Sequence, residues 1–404
     1  MTQIRRTPEP ILMPAGFSFA SLPAGIKVSG RPDLALVEAA DSNAAALFTK
    51  NRVVAAPVEV GRASLWRSGG HVRVLIVNSG NANCATGPEG RRACKRICRE
   101  TGKLLGAKPT EVFPSSTGII GVPFPVERVL AKLPELIASK SQSETAAQGF
   151  ADAIMTTDTR PKIASARFET AGKTVTVLGI AKGSGMIHPN LATMLVYLFT
   201  DIVASARDLR FLLREACDQS FNSMSVDGDT STNDTVLLLA SQRSGVSLGK
   251  GNGRKRFAGA LNAACQSLAE QIVSDGEGAQ HVIRLFIEQA GSQEEARQVA
   301  RAIAHSALVK TAWAGADPNW GRILAAAGYS GVQLDPGKIR IHIADQMVCR
   351  HGEAHPFDEK RAHDALAQPE CDVRVLLGRG KSSIRFLTTD LTAEYVRINA
   401  DYST

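Results

Sequence analysis

Thr193 stands where a reactive hydroxyl would be held still. It follows the small-residue loop Gly183, Ser184, Gly185 and opens Thr-Met-Leu-Val-Tyr-Leu-Phe, an unbroken apolar run of the kind expected for a strand covered on both faces. The chemistry this suggests is self-cleavage. The hydroxyl attacks the carbonyl of Ala192, the peptide shifts to an ester, and water releases a new amino terminus. An N-terminal threonine carries its own base, because a free α-amine titrates at roughly 7.7 to 8.0 and accepts the hydroxyl proton near neutral pH. Bare of context, an Ala-Thr step after a glycine-rich loop also describes the ordinary start of a β-strand.

Acyl transfer needs more than a nucleophile, since the tetrahedral intermediate develops negative charge that must meet preorganised donors. In SSTGIIG (115–121) the Thr117 hydroxyl and the Gly118 N–H can converge on such an oxygen, glycine allowing a close approach and unusual dihedrals. The same cluster also reads as a plain turn. Candidate metal sites are incomplete. Cys94 and Cys98 share a helix face without further ligands, and Cys349, His351 and His355 fall in a turn between strands. Asp227, Asp229, Ser231 and Asn233 begin like a calcium loop, yet Thr232 and Leu238 occupy the positions that need glycine and glutamate. No metal and no cofactor are expected.

The elements that must position these groups alternate between strands and helices. Periodicity predicts strands at 72–77, 174–181, from Thr193 onward, 235–240, 282–287, 338–344, 372–377, 383–388 and 394–399. It predicts helices at 90–105, 126–138, 143–155, 206–221, 256–273 and 292–307. Alternation of this kind is α/β, with sheets covered by helices. There are no low-complexity tracts, and 404 residues suffice for a substantial core.

The net charge of +8 suits anionic small molecules and, equally, nucleic acid. The basic clusters Arg91, Arg92, Lys95, Arg96, Arg99 and Lys250, Arg254, Lys255, Arg256 read as solvated helix faces, because no aromatic residues are interleaved with them. No nucleic acid is expected as a partner. Seven cysteines without a regular framework point to a reducing compartment, taken as the cytoplasm. No stretch is apolar and long enough for a signal peptide or a membrane span, so a soluble protein is expected.

Segments along nearly the whole chain resemble the ornithine acetyltransferase family, also called glutamate N-acetyltransferases. They are AGIKVSGRPDLAL (24–36), LFTKNRVVAAPV (47–58), NSGNAN (78–83), SSTGIIG (115–121), IMTTDTRPK (154–162), the loop and run at 183–201, SVDGDTSTNDTV (225–236), SDGEGA (274–279), GADPNWGRILAA (315–326) and YVRINADYST (395–404). The resemblance implies an αββα sandwich of the N-terminal-nucleophile-like kind with a further α/β region toward the carboxyl terminus. It implies cleavage between Ala192 and Thr193 into an α chain (1–192) and a β chain (193–404) that assemble as a tetramer of two α and two β chains. The implied reaction moves the acetyl group of N-acetylornithine to glutamate through an acetyl-Thr193 ester, with acetyl-coenzyme A as a further donor in some relatives.

Thr117 and Gly118 match the family's oxyanion-hole pair. Thr156, Lys182, Thr193, Glu277, Asn399 and Thr404 match its substrate contacts, Lys182 suiting a carboxylate and Glu277 the cationic end of the donor. Two positions depart from the family pattern, His188 five residues before Thr193 and Cys84 after Asn83; they bear on substrate preference rather than on reaction class. An amidase or aminopeptidase of the same self-cleaving architecture is the alternative, and a basic nucleic-acid-binding protein a more distant one.

Overall fold

A computed structural model of the chain describes residues 10–39, 41–170, 172–188 and 194–401. Up to residue 188 the elements are β1 (Phe17–Leu22), β2 (Leu34–Ala39), β3 (Asn43–Phe48), α1 (Ala56–Arg67), β4 (Val74–Asn78), α2 (Gly87–Leu105), β5 (Val112–Ser116), α3 (Val126–Ala138), α4 (Glu144–Ile154), β6 (Lys162–Thr170) and β7 (Lys173–Lys182). Beyond Met194 come β8 (Leu195–Thr200), α5 (Ala206–Asp218), β9 (Thr235–Ala240), α6 (Asn252–Ser274), β10 (Val282–Ala290), α7 (Gln293–Ala304), α8 (Ala307–Ala314) and α9 (Trp320–Gly328). The last are β11 (Arg340–Ile343), β12 (Gln346–Arg350), β13 (Glu353–Ala354), α10 (Glu359–Leu366), β14 (Glu370–Leu376), β15 (Ser382–Thr389) and α11 (Ala393–Asp401).

Two sheets, ordered β1-β2-β4-β5 and β3-β9-β8-β7-β6, stack face to face. The apolar run after Thr193 explains why. In β8, Leu195, Tyr197 and Phe199 enter the core between the sheets, while Val196 and Leu198 enter the core beneath α5 and α6. Strand alternation thus turns one continuous apolar segment into contacts with two layers. Phe17 and Phe19 of β1 meet Phe199 edge to face at 5.2 and 5.1 Å, and Phe150 of α4 meets Tyr197 at 5.6 Å, so aromatic rings weld the sheets together. The outer face of the first sheet is covered by Cys94, Ile97 and Cys98 of α2 and Val129, Leu133 and Leu136 of α3. The layers run helix, sheet, sheet, helix. This is the expected αββα sandwich.

A third sheet, β13-β12-β11-β14-β10-β15, forms the further α/β region, its apolar face packed under α7, α8, α9 and α10. One sequence expectation fails in this half. The helix expected over 292–307 is α7, and the Ser306 hydroxyl, accepting the Val309 N–H, starts α8 just beyond its end. The strand expected at 394–399 is instead the helix α11. The Thr392 hydroxyl accepts the Tyr395 N–H at its start and Glu394 pairs with Arg397 one turn on, local bonds that outweigh the strand propensity of Tyr395, Val396 and Ile398.

The basic cluster on α2 is a solvated face, with Arg91, Arg92, Arg96 and Arg99 paired to Glu59, Glu89, Glu127 and Glu100. All seven cysteines are buried and free. Among the described residues no group of His, Cys, Asp and Glu could hold a metal, and no helix is long and apolar enough to cross a membrane.

Candidate active site

Sheet topology gathers the chemistry at one end. Strand β7 runs antiparallel to β8, so its last residue, Lys182, pairs with Leu195 at the start of β8. Strand β9 runs parallel to β8 with Thr235 opposite Leu195, which brings the residues before β9 to the same end. In the first sheet β4 and β5 are parallel, and the loops leaving them, 78–83 and 116–121, lie side by side through bridges from Asn81 to Thr117 and Ile119. Ala192, Thr193 and Thr404 lie outside the described residues.

Lys182 is buried, and its ammonium donates to the Thr156 hydroxyl at 2.6 Å and lies 3.6 Å from Asp158. Asp158 is the hub beneath this pair. Its Oδ1 accepts the Gly183 N–H and the Lys162 ammonium, each at 2.6 Å, and its Oδ2 accepts the Thr156 N–H at 2.9 Å. Lys162, wholly buried, also donates to Asp275 at 2.6 Å. Burial alone would raise the Asp158 carboxyl, but the Lys162 and Lys182 ammoniums and the Lys162 and Thr156 hydrogen bonds hold it well below the usual carboxylate range. A charged hub fixes the height and direction of Lys182.

Glu277 and Asn399, 122 residues apart in sequence, meet through an Asn399 Nδ2 bond to Glu277 Oε2 of 2.9 Å. Glycine makes room here, since a Cβ at Gly185 would lie 2.4 Å from Glu277 Oε2. The Glu277 N–H donates to the Ser184 carbonyl at 2.9 Å, and Ser184 shares a hydroxyl bond of 2.8 Å with Thr157. The loop 183–185 therefore joins the Lys182–Thr156 pair to the Glu277–Asn399 pair. Helix α11 delivers Asn399 because the Thr392 hydroxyl donates to the Gly278 carbonyl at 2.7 Å and the Tyr395 hydroxyl meets Asp227 at 3.3 Å.

Thr117 and Gly118 leave β5 beside the Asn78–Asn83 loop. Gly118 has φ +129°, and a Cβ there would sit 2.3 Å from the Gly80 carbonyl carbon. Only glycine fits. The loop is braced by buried asparagines: Asn78 donates to the Asn81 carbonyl at 2.8 Å, and the Thr117 N–H donates to the Asn78 carbonyl at 3.0 Å.

Sequence reasoning gave Asn233 and Asp234 no role in this site, yet they are its link. Asn233 Nδ2 donates to the carbonyls of Ala82 at 2.7 Å and Ser116 at 2.9 Å, holding the Thr117 loop. Asp234 Oδ1 accepts the Met194 N–H at 3.0 Å, holding the residue that follows Thr193. Both lie in SVDGDTSTNDTV, whose resemblance was the only available signal. Lys27 also went unassigned. Its Cγ would lie 3.0 Å from a Cβ at Gly80, its ammonium donates to Pro32 and Ala153 carbonyls, and burial pulls it down to about 8, with Asp33 opposing and Lys182 adding to the fall. His188 leaves the loop against His305, ring centroids 4.8 Å apart, and His305 bonds Ser225 at 3.0 Å. Burial, then the neighbouring Arg301, lowers the His188 ring.

An open cleft of about 750 Å³ between α9 and α10 is lined by Asp317, Trp320, Phe357, Lys360 and His363 and shares none of these residues. It offers volume without a braced donor set.

The ArgJ family model matches residues 18–404. The chain is 46% identical over 395 residues to the arginine biosynthesis bifunctional protein ArgJ of Methylococcus capsulatus, covering 96% of each chain. It is 46% identical over 396 residues to the protein of the same name from Thermus thermophilus, covering 98% of this chain and 100% of that one. A crystal structure of the arginine biosynthesis bifunctional protein argJ from Bacillus halodurans matches at 39% identity with a TM-score of 0.51, over 52% of this chain and 100% of that chain.

Proposed function

From the premise that this chain belongs to the ArgJ family, we propose that it is an acyltransferase that moves the acetyl group of N-acetylornithine to glutamate by way of Thr193. One observation carries the reading at the level of residues: Asn233 and Asp234, adjacent in sequence, tie the Thr117–Gly118 loop and the residue after Thr193 to the same strand end, beside Lys182 and Thr156. A nucleophile, an oxyanion donor pair and a substrate cation then share one rigid frame.

Cleavage of the Ala192–Thr193 bond gives an α chain of residues 1–192 and a β chain of residues 193–404. The Thr193 amine, titrating near neutral pH, takes the proton of its own hydroxyl as the oxygen attacks the acetyl carbonyl. The Thr117 hydroxyl and Gly118 N–H receive the negative charge on the carbonyl oxygen. The intermediate collapses, ornithine leaves with the proton returned by the amine, and the acetyl group stays as an ester on Thr193. Glutamate then attacks that ester, gives N-acetylglutamate and restores the hydroxyl. One amide is exchanged for another, so neither nucleotide nor cofactor is consumed.

Lys182, oriented by Thr156 and Asp158, suits a substrate carboxylate, and Glu277 with Asn399 suits an ammonium. The family resemblance assigns Thr404 to the same substrate. The relatives are called bifunctional, which favours acetyl-coenzyme A as a second acetyl donor for glutamate. The same full-length relatives, named for arginine biosynthesis, set aside the amidase or aminopeptidase alternative. The working assembly is a tetramer of two α and two β chains in the cytoplasm.

The test is an assay of purified protein with N-acetylornithine plus glutamate and then acetyl-coenzyme A plus glutamate, alongside intact mass. Activity with the first pair and two fragments divided before Thr193 are expected. Thr193→Ala should stay a single inactive chain, and a cleaved or active T193A protein would remove the nucleophile assignment.

A further inference from the structure

Donor and acceptor carry opposite charges on their side chains. N-acetylornithine and glutamate each have an α-carboxylate, which suits Lys182, but the first side chain ends in an ammonium and the second, equally far from Cα, in a carboxylate. Glu277 with Asn399 attracts the ammonium and repels the carboxylate. Glutamate therefore needs a second cation, placed away from Glu277.

Lys27 has the surroundings of that cation. A Cβ at Gly80 would meet Lys27 Cγ at 3.0 Å, and a Cβ at Gly118 would meet the carbonyl carbon of the same Gly80 at 2.3 Å, so one glycine separates the lysine stem from the oxyanion donor. The Lys27 ammonium donates to the carbonyls of Pro32 at 3.0 Å and Ala153 at 3.4 Å. The Ala153 carbonyl also accepts the Ser79 hydroxyl, and three residues further on the Thr156 hydroxyl accepts Lys182. Both ammoniums are thus anchored on one short segment, 153–156. They feel each other: burial lowers Lys27 first, Asp33 opposes, and the charge of Lys182 lowers it further.

Neutral carbonyls leave the Lys27 charge without a counterion. Asp33 is nearby in sequence, but its Oδ1 accepts the Ala24 N–H at 2.6 Å and its Oδ2 accepts the Ile26 and Lys27 N–H groups at 2.6 and 2.8 Å. That carboxylate is taken up in bracing the loop that carries the lysine. Among the described residues no carboxylate bonds the Lys27 ammonium. A partly buried cation on a braced loop, lacking an ion pair, is preorganised for an anionic group from outside.

We propose that Lys27 binds the side-chain carboxylate of glutamate and so selects the acceptor. The inference rests on the acetyl-transfer reading above. Both substrates present their α-carboxylate to Lys182 and their reacting nitrogen to the acyl centre, and their side chains then diverge. That of ornithine runs to Glu277 and Asn399, and that of glutamate to Lys27. One site serves two substrates of opposite side-chain charge because an anion and a cation are both in place.

Lys27→Met keeps the stem over Gly80 and removes the charge. Wild-type and K27M proteins are purified at full length and their melting temperatures compared. Three reactions are followed. Two are acetyl transfer from N-acetylornithine to glutamate and to glutamine, whose side chain is a neutral amide. The third is acetyl exchange between N-acetylornithine and isotopically labelled ornithine, in which neither partner has a side-chain carboxylate. K27M should raise KM for glutamate about 10- to 100-fold and lower the glutamate-over-glutamine ratio of kcat/KM by a similar factor. Glutamate transfer should fall at least about tenfold more than ornithine exchange. An unchanged glutamate-over-glutamine ratio, or an equal loss of transfer and exchange, overturns the proposal. Should K27M not fold, Lys27→Gln, whose amide still donates hydrogen bonds, carries the same comparison, and a wild type that takes glutamine as readily as glutamate refutes Lys27 without any variant. A wild type that exchanges ornithine but transfers nothing to glutamate brings down the acetyl-transfer reading itself, whereas wild-type transfer beside an indifferent K27M brings down Lys27 alone.

Discussion

Asp158→Asn should damage stability and substrate binding together, by amounts the structure fixes. The amide cannot satisfy its surroundings in either orientation. With nitrogen at the Oδ2 place it opposes the Thr156 N–H and Lys182; with nitrogen at the Oδ1 place it opposes the Gly183 N–H and the Lys162 ammonium. One buried donor is left unpaired and the Asp158 charge is lost to both ammoniums, leaving Lys162 its bonds to Asp275 and the Arg160 carbonyl and Lys182 its bond to the Thr156 hydroxyl. Breaking a buried ion pair from one side costs about 3–5 kcal/mol, which in a chain of this size lowers the melting temperature by about 4–6 °C. Losing the orientation of Lys182 removes a charge-assisted contact of about 1.5–3 kcal/mol, so KM should rise roughly 10- to 100-fold. The pH dependence has a definite sign. Because the folded-state carboxyl is held down, its contribution is fully present above the unfolded pKa of about 3.9 and is lost as pH falls toward the folded value. The stability gap between wild type and D158N should narrow by about 1 kcal/mol from pH 5 to pH 3. Melting curves at both pH values and steady-state kinetics near neutrality are the assays. A D158N protein that melts within about 1 °C of the wild type with unchanged KM would refute the hub.

Two further substitutions probe the ends of the site. Gly118→Ala places a methyl against the Gly80 carbonyl carbon and should displace an oxyanion donor, lowering kcat by about 100-fold or more with little change in KM; steady-state kinetics showing a rise in KM alone would contradict this. Deletion of residues 399–404 removes the Asn399 bond to Glu277 and should raise KM for N-acetylornithine about tenfold while leaving the two-fragment pattern on a denaturing gel intact, and an unchanged KM would take the tail out of the site.

What the sequence disclosed follows from the range over which each signal acts. The strand after Thr193 was legible because its core is satisfied on both faces, so six consecutive apolar residues announce it. Helix α3, residues 126–138, and strand β9, residues 235–240, carry their periods internally and fall where periodicity puts them. Strand β3 does not. Its sequence, NAAALF, is mostly alanine, and it is a strand because β9 pairs with it across nearly two hundred residues. The site divides in the same way. Resemblance singled out Thr156, Lys182, Glu277 and Asn399, and the structure pairs them. Their supports were invisible, because Lys162 reaches Asp275 over 113 residues and Asn233 reaches Ser116 over 117. A partner at such separation leaves no local trace.

The order of the central sheet, β3-β9-β8-β7-β6, bears on what cleavage before Thr193 would do to the fold. Strands β3, β6 and β7 precede the bond and β8 and β9 follow it, so the two pieces interleave within one sheet. On one flank β8 pairs with β7 from Val177 against Thr200 to Lys182 against Leu195, and on the other side β3 closes the edge of β9 over six residue pairs. Separating the pieces would expose both ladders and the cores on either face of β8, whose residues are all buried. Scission before Thr193 would therefore free an amine without releasing a fragment.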